Sequence, residues 1–152
     1  MKGQTQIISV VLILALSVSL MATAYTWGLP LIQKRQDTAK FESIFNSFDP
    51  TNPNSLERKI IDIANRGGEE VFSLNFKGVW NVNEDENSIS FSFLSMISGF
   101  VPGKGITLLP GGSCPSSGPG RLGIDEPFDI CGYSEPSGNK YNITFKIWFR
   151  NL

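Results

Sequence analysis

"GQTQIISVVLILALSVSLMATAYTWGLPLIQ", residues 3–33, runs for 31 positions without a charged side chain, and what the rest of the chain can be depends on how this run is read. As an α-helix rising 1.5 Å per residue it would reach about 46 Å, against roughly 30 Å of bilayer hydrocarbon. A secretory signal needs an apolar core of only about 7–15 residues and ends at a small-residue cleavage site. Met21-Ala22-Thr23-Ala24 could mimic such a site, yet Tyr25, Trp27, Leu29, Leu31 and Ile32 carry the apolar pattern past it. The segment therefore reads as a retained transmembrane helix. Ala15, Ser19, Ala22 and Thr26 fall at i, i+4, i+7 and i+11, a small-residue stripe on one helical face. Such faces let helices approach closely in lipid, although membrane helices carry small residues for other reasons as well. Tyr25 and Trp27 stand where an interfacial aromatic belt would lie. Pro30 lacks an N–H and crowds the carbonyl of Thr26, which predicts a kink. Beyond it, Leu31–Phe48 reads as a second, amphipathic helical stretch with Ala39, Phe41, Ile44, Phe45 and Phe48 on one stripe.

Past this N-terminal run roughly 120 residues remain, enough for one core and too few for two comfortable domains. A net charge of −1 gives no basic surface of the kind nucleic acid requires. The chain has no histidine, which removes the Ser-His and Cys-His nucleophile pairs and the commonest metal ligand. Cys114 and Cys131 cannot complete a zinc site without histidine partners. They lie 17 positions apart in Gly/Pro-rich chain, and the expected arrangement is a disulfide, with two unrelated buried thiols as the alternative. Such a bridge would contribute roughly 3 kcal/mol in the chain-entropy view and persists in an oxidising compartment. No cofactor or metal site is expected. The carboxylates that a histidine-free hydrolase could use, Asp125, Glu126 and Asp129, fall at spacings no better than chance, and Pro127 suggests a turn among them.

The C-terminal part changes period. Asn54 with Glu57 three residues on reads as a capping-box variant opening a short helix, with Leu56, Ile60, Ile63 and Ala64 on its apolar side and Gly67-Gly68 closing it. Val71–Phe76, Val79–Val82 and Ser88–Phe93 alternate with period two and predict three strands of an antiparallel meander. The acidic turn Asn83–Asn87 lacks EF-hand spacing and reads as a solvated hairpin turn, calcium being the minor alternative. Gly99, Gly103, Lys104 and Gly105 miss the phosphate-loop template and read as a flexible tip. Residues 94–140 are dense in Gly, Pro and Ser, with one short strand expected at Ile106–Leu109. "KYNITFKIWFR" gives the clearest strand, with Tyr141, Ile143, Phe145, Ile147 and Phe149 on one face. Trp148 on the other face suggests contact with a second layer. The fold class expected is α+β: a long hydrophobic helix, a short helix, and an antiparallel β-sheet or sandwich-like head.

Orientation sets two rules against each other. Lys34, Arg35 and Lys40 after the apolar run favour a cytoplasmic C-terminal domain by the positive-inside count. The cysteine pair and the sequon Asn142-Ile143-Thr144, a possible glycosylation site useful only outside, favour the opposite side. Long domains translocate largely regardless of flanking charge, so the head is expected outside the cell.

Lys2-Gly3-Gln4, followed at once by the uncharged run, resembles the class III signal peptide of archaeal type IV pilin-like proteins. The resemblance implies cleavage between Gly3 and Gln4 by a prepilin peptidase, on the cytoplasmic side, leaving Gln4 as the mature N-terminus. It covers about the first 35 residues and implies three parts: a leader (1–3), the hydrophobic helix with its amphipathic extension (4–48), and an extracellular head (49–152). It further implies a subunit held in the membrane before assembly and then packed through its helix with other pilin-like subunits in a surface filament, with no catalysis. The wider family often has Glu as the fifth mature residue, where this chain has Ile8. The alternative is a single-pass anchored extracellular binding domain that does not polymerise.

Overall fold

The structure, a computed structural model, describes residues 2–110, 114 and 127–149. It is α+β. Among the described residues helix α1 spans Lys2–Phe48, helix α2 spans Leu56–Arg66, and five strands follow: β1 Val79–Asn83, β2 Ser88–Ser95, β3 Ile106–Thr107, β4 Pro127–Ser137 and β5 Lys140–Phe149. The strands form one antiparallel sheet in the order β1-β2-β5-β4-β3. By compactness the chain divides into Met1–Gln36 and Asp37–Leu152, so the last turns of α1 belong to the second unit with the sheet.

In the first unit α1 is assigned without interruption through Pro30. The predicted second helical stretch is therefore a continuation of the same helix. A proline removes one backbone hydrogen bond, and the helical hydrogen bonds before and after it continue across that loss.

In the second unit the core forms where helical and strand periodicities meet. Phe41, Ile44, Phe45 and Phe48 recur at i, i+3, i+4 and i+7; Ile44 and Phe48 are fully buried, and Phe41 and Phe45 pack against the same cluster. Opposite them stand Phe91 and Phe93 of β2, Ile143, Phe145 and Ile147 of β5, and Ile130 of β4. Phe145 lies at the centre. Its ring is 5.0 Å from Phe48 and 5.3 Å from Phe100, with Phe41, Phe45 and Phe93 at 5.9–6.4 Å. Such spacings are those of favourable aromatic pairs. The outer end of the Phe100 ring lies against Gly132 of β4, where a Cβ would sit 2.2 Å from it. Asp37 fastens the helix end to the loop after β2 by accepting the Met96 N–H at 2.6 Å.

The predicted strand at Val71–Phe76 does not form. Its Phe72, Leu74 and Phe76 do turn toward the core, but the segment joins no ladder. The cap of α2 is also one residue later than expected. Ser55, extended and fully buried, accepts from the Arg58 N–H at 3.4 Å, whereas the Asn54 N–H donates to the Asn52 side chain. Gly67, at φ 71°, closes the helix by donating to the Ile63 carbonyl. The expected strand at Ile106–Leu109 forms over Ile106–Thr107 alone, and most of β4 lies in chain that reads as irregular. β5 is an interior strand between β2 and β4, as its regular alternation predicts.

Candidate functional site

Gly3 and Gln4 occupy the first turn of α1, both exposed. From there the helix presents an apolar surface. Ile7, Ile8, Val10 and Val11 through Leu20 and Met21 are exposed, and α1 is the one helix among the described residues long and apolar enough to cross a membrane. No part of its most apolar window is buried within the chain. Burying such a surface is favourable by about 25 cal/mol for each Å² taken from water, so the segment calls for lipid or protein around it.

The predicted stripe Ala15, Ser19, Ala22 and Thr26 lies on this helix. Its hydroxyls are satisfied locally: Ser19 donates to the Ala15 carbonyl at 2.8 Å, and Thr26 donates to the Ala22 and Thr23 carbonyls at 3.0 Å. Ser9, Ser17 and Thr23 bond back in the same manner, to the carbonyls of Thr5, Ile13 and Ser19. This pattern keeps polar hydrogens off the helix surface.

In the second unit the expected disulfide joins Cys114 to Cys131, with Cα atoms 5.8 Å apart. Cys131 lies on the sheet face opposite the phenylalanine core, paired in register with Lys146. The same face carries a compact polar group. Asp129 is buried and accepts from Thr107 Oγ1 at 2.8 Å; its other carboxylate oxygen and the Trp148 indole N–H find no partner among the described residues. Trp148 is buried beside Tyr133, edge-on at 6.4 Å, with the Lys146 ammonium 4.6 Å over its ring. Lys146 also pairs with Glu86 of the acidic turn. Burial, then the negative charge of Asp129, push the Tyr133 hydroxyl above the ordinary tyrosine range. Trp148 thus meets neighbours within its own sheet.

Among the described residues these groups do not bring an acid, a base and a nucleophile together. The ligand atoms of Cys114, Asp129 and Cys131 lie within 4.8 Å of one another, but both sulfurs are spent in the disulfide and only one carboxylate is left to offer a metal. Asp129 points into the buried polar group, and Asp125 and Glu126 lie outside the described residues. A cleft of about 320 Å³ is lined by Lys104, Cys114, Tyr133 and Glu135; a second, of about 380 Å³, is lined by Arg58, Lys59, Asp62 and Glu70, with Lys59 and Glu70 already paired. Neither brings together an acid, a base and a nucleophile. Burial also pushes the Lys40 ammonium below the ordinary lysine range, with Asp37 opposing and Lys140 reinforcing that shift; Lys40 sits 4.8 Å over the Phe93 ring.

Asn142 is the third residue of β5, beside the turn that joins it to β4, and is half-buried between Leu94 and Glu135. The polar group around Asp129 and Trp148 was missed in the sequence because β4 itself was missed; without the β4–β5 register nothing places Asp129 beside Trp148. No protein-family model, curated protein or solved structure matches the chain.

Proposed function

We propose that this protein is a structural subunit of a type IV pilus-like surface filament, anchored in the membrane before assembly and without catalysis. The observation that carries the reading is α1 itself. Its uncharged run, residues 3–33, follows directly on Lys2, leaves its most apolar stretch uncovered within the chain, and continues into charged, amphipathic turns that pack on a folded sheet. An anchor alone needs only about 20 apolar residues; the longer run suits a helix that serves first in lipid and then among its copies. On this reading a prepilin peptidase cuts between Gly3 and Gln4, Ala15, Ser19, Ala22 and Thr26 line the face where helices meet, and the head stands outside the cell. The disulfide and the Asn142 sequon support the outside placement.

Intact-mass analysis of the protein from its native membrane tests the processing step. A mature form beginning at Gln4 is the expected result, and a chain retaining Met1-Lys2-Gly3 defeats it, leaving an anchored ectodomain. Electron microscopy of cells with and without the chain then tests assembly: surface filaments that vanish with the chain support it, and a processed chain on filament-free cells does not.

A further inference from the structure

A sheet edge is a row of backbone donors and acceptors, and folded proteins normally protect it with lysine, proline, a bulge or brevity. The two edges of this sheet differ. β3 is guarded by its length, two residues. β1 is five residues long, pairs residue for residue with β2, and has no charged residue and no proline in Val79-Trp80-Asn81-Val82-Asn83. Val79 and Val82 stand in solvent, at 69% and 64% exposure, while Trp80 packs against Phe48, Phe72 and Phe91. Among the described residues no backbone hydrogen bond reaches its outer side. The chain before it, residues 71–76, packs Phe72, Leu74 and Phe76 inward and does not pair with it.

The charges at the two ends of β1 specify what fits there. Lys77 precedes the strand, and Glu84 and Asp85 follow it; all three are exposed and form no ion pair among the described residues. A second copy laid antiparallel about a two-fold at Asn81 sets Val79 opposite Asn83 and Trp80 opposite Val82. Just beyond that ladder, Lys77 of each copy falls opposite Asp85 of the other. A parallel copy would instead put Lys77 beside Lys77 and the acidic turn beside itself, and like charges directly opposite are unfavourable. We propose that β1 is a self-association edge, pairing antiparallel with β1 of a second copy of this chain about Asn81, clamped at both ends by Lys77 and Asp85. The contact is isologous and closes at two copies, so it is separate from any helix-mediated assembly and does not rest on the filament reading.

The test uses the full chain in dodecylmaltoside micelles, in which both native cysteines are already bridged. N81C places two thiols across the two-fold, with Cβ atoms roughly 5 Å apart, and mild copper-phenanthroline oxidation gives a covalent dimer. V101C, also exposed but in a loop outside the sheet, is the control and cross-links far more slowly. In the N81C background, K77E or D85K alone slows cross-linking roughly tenfold by placing like charges opposite each other at both ends. K77E combined with D85K restores it. The proposal is overturned if N81C cross-links no faster than V101C, if either single reversal has no effect, or if the double reversal fails to recover the dimer. These sites are exposed, and unchanged circular dichroism shows that each variant is folded. Association through α1 alone would bring N81C and V101C to the same rate, so failure here leaves the filament reading standing, and a chain that retains its leader leaves this one standing.

Discussion

Truncating Phe145 to alanine should cost the head more than any other single change in its core. The ring is fully buried and is the one at which α1 and the sheet meet: Phe41, Phe45 and Phe48 approach from the helix, Phe93 from β2 and Phe100 from the loop that follows it. Phe→Ala in a packed core costs about 3–5 kcal/mol, the lost transfer energy plus the cavity left behind. Four of these five rings are fixed by strand or helix backbone and cannot all move in to fill that space, so the upper half of the range applies, roughly 4–5 kcal/mol. Against a total stability of about 5–15 kcal/mol for a domain this size, that is about a quarter or more. At a urea slope of about 1.5 kcal/mol per M the midpoint falls by roughly 3 M. The assay is urea unfolding of the full chain in micelles, followed by the emission of Trp80 and Trp148, both of which lie in the second unit. Phe145→Leu keeps most of the volume and should lose less than about 1.5 kcal/mol. A Phe145→Ala midpoint within roughly 0.5 M of the parent would refute the packing argument, because the helix would then be held to the sheet by something other than this cluster.

Two further outcomes follow from particular residues. Ser55→Ala should lower stability by about 0.5–1 kcal/mol, the low end for a cap because its bond to Arg58 is 3.4 Å long, while Asn54→Ala stays within about 0.5 kcal/mol; urea midpoints for the pair decide which residue caps α2. Tyr133 keeps in the folded state a proton that the unfolded chain gives up near pH 10.0, so this contribution is whole below that pH and is lost as pH rises through the higher folded-state value. Stability of the parent should therefore fall more steeply than that of Tyr133→Phe between about pH 9.5 and 11, a constant offset from the missing hydroxyl aside; parallel pH profiles would contradict it.

How much could be read beforehand depends on what a pattern reports. Alternation reports which side chains share a face. In β2 and β5 it also coincided with a ladder, because Phe91, Phe93, Ile143, Phe145 and Ile147 needed backbones fixed on both sides. In residues 71–76 the same alternation sends Phe72, Leu74 and Phe76 inward, but the backbone has no pairing partner, so the face was legible and the strand was not. β4 fails in the opposite sense. Pro127, Gly132 and Pro136 read as irregular chain, yet Pro127 is its first residue and Pro136 lies beyond the stretch that pairs with β3. Prolines are tolerated where the missing N–H has no ladder to serve. The disulfide was legible because the two cysteines stand in Gly/Pro-rich chain with no histidine to make them metal ligands, whereas the polar group around Asp129 depends on a register that only the folded sheet supplies.

The hydroxyls of α1 that bond back along their own helix have a bearing on traffic. Ser9, Ser17, Ser19, Thr23 and Thr26 bring no unmet demand to whatever surrounds them, so a lone helix in lipid is not short of a bond that a bundle would supply. For a subunit that works as proposed, lipid and bundle are nearly equivalent solvents for this segment, and the balance between them is set by packing and by the machinery that extracts it. A reserve of unassembled subunits can then persist in the membrane, and subunits released from a filament can return to it without first breaking polar contacts.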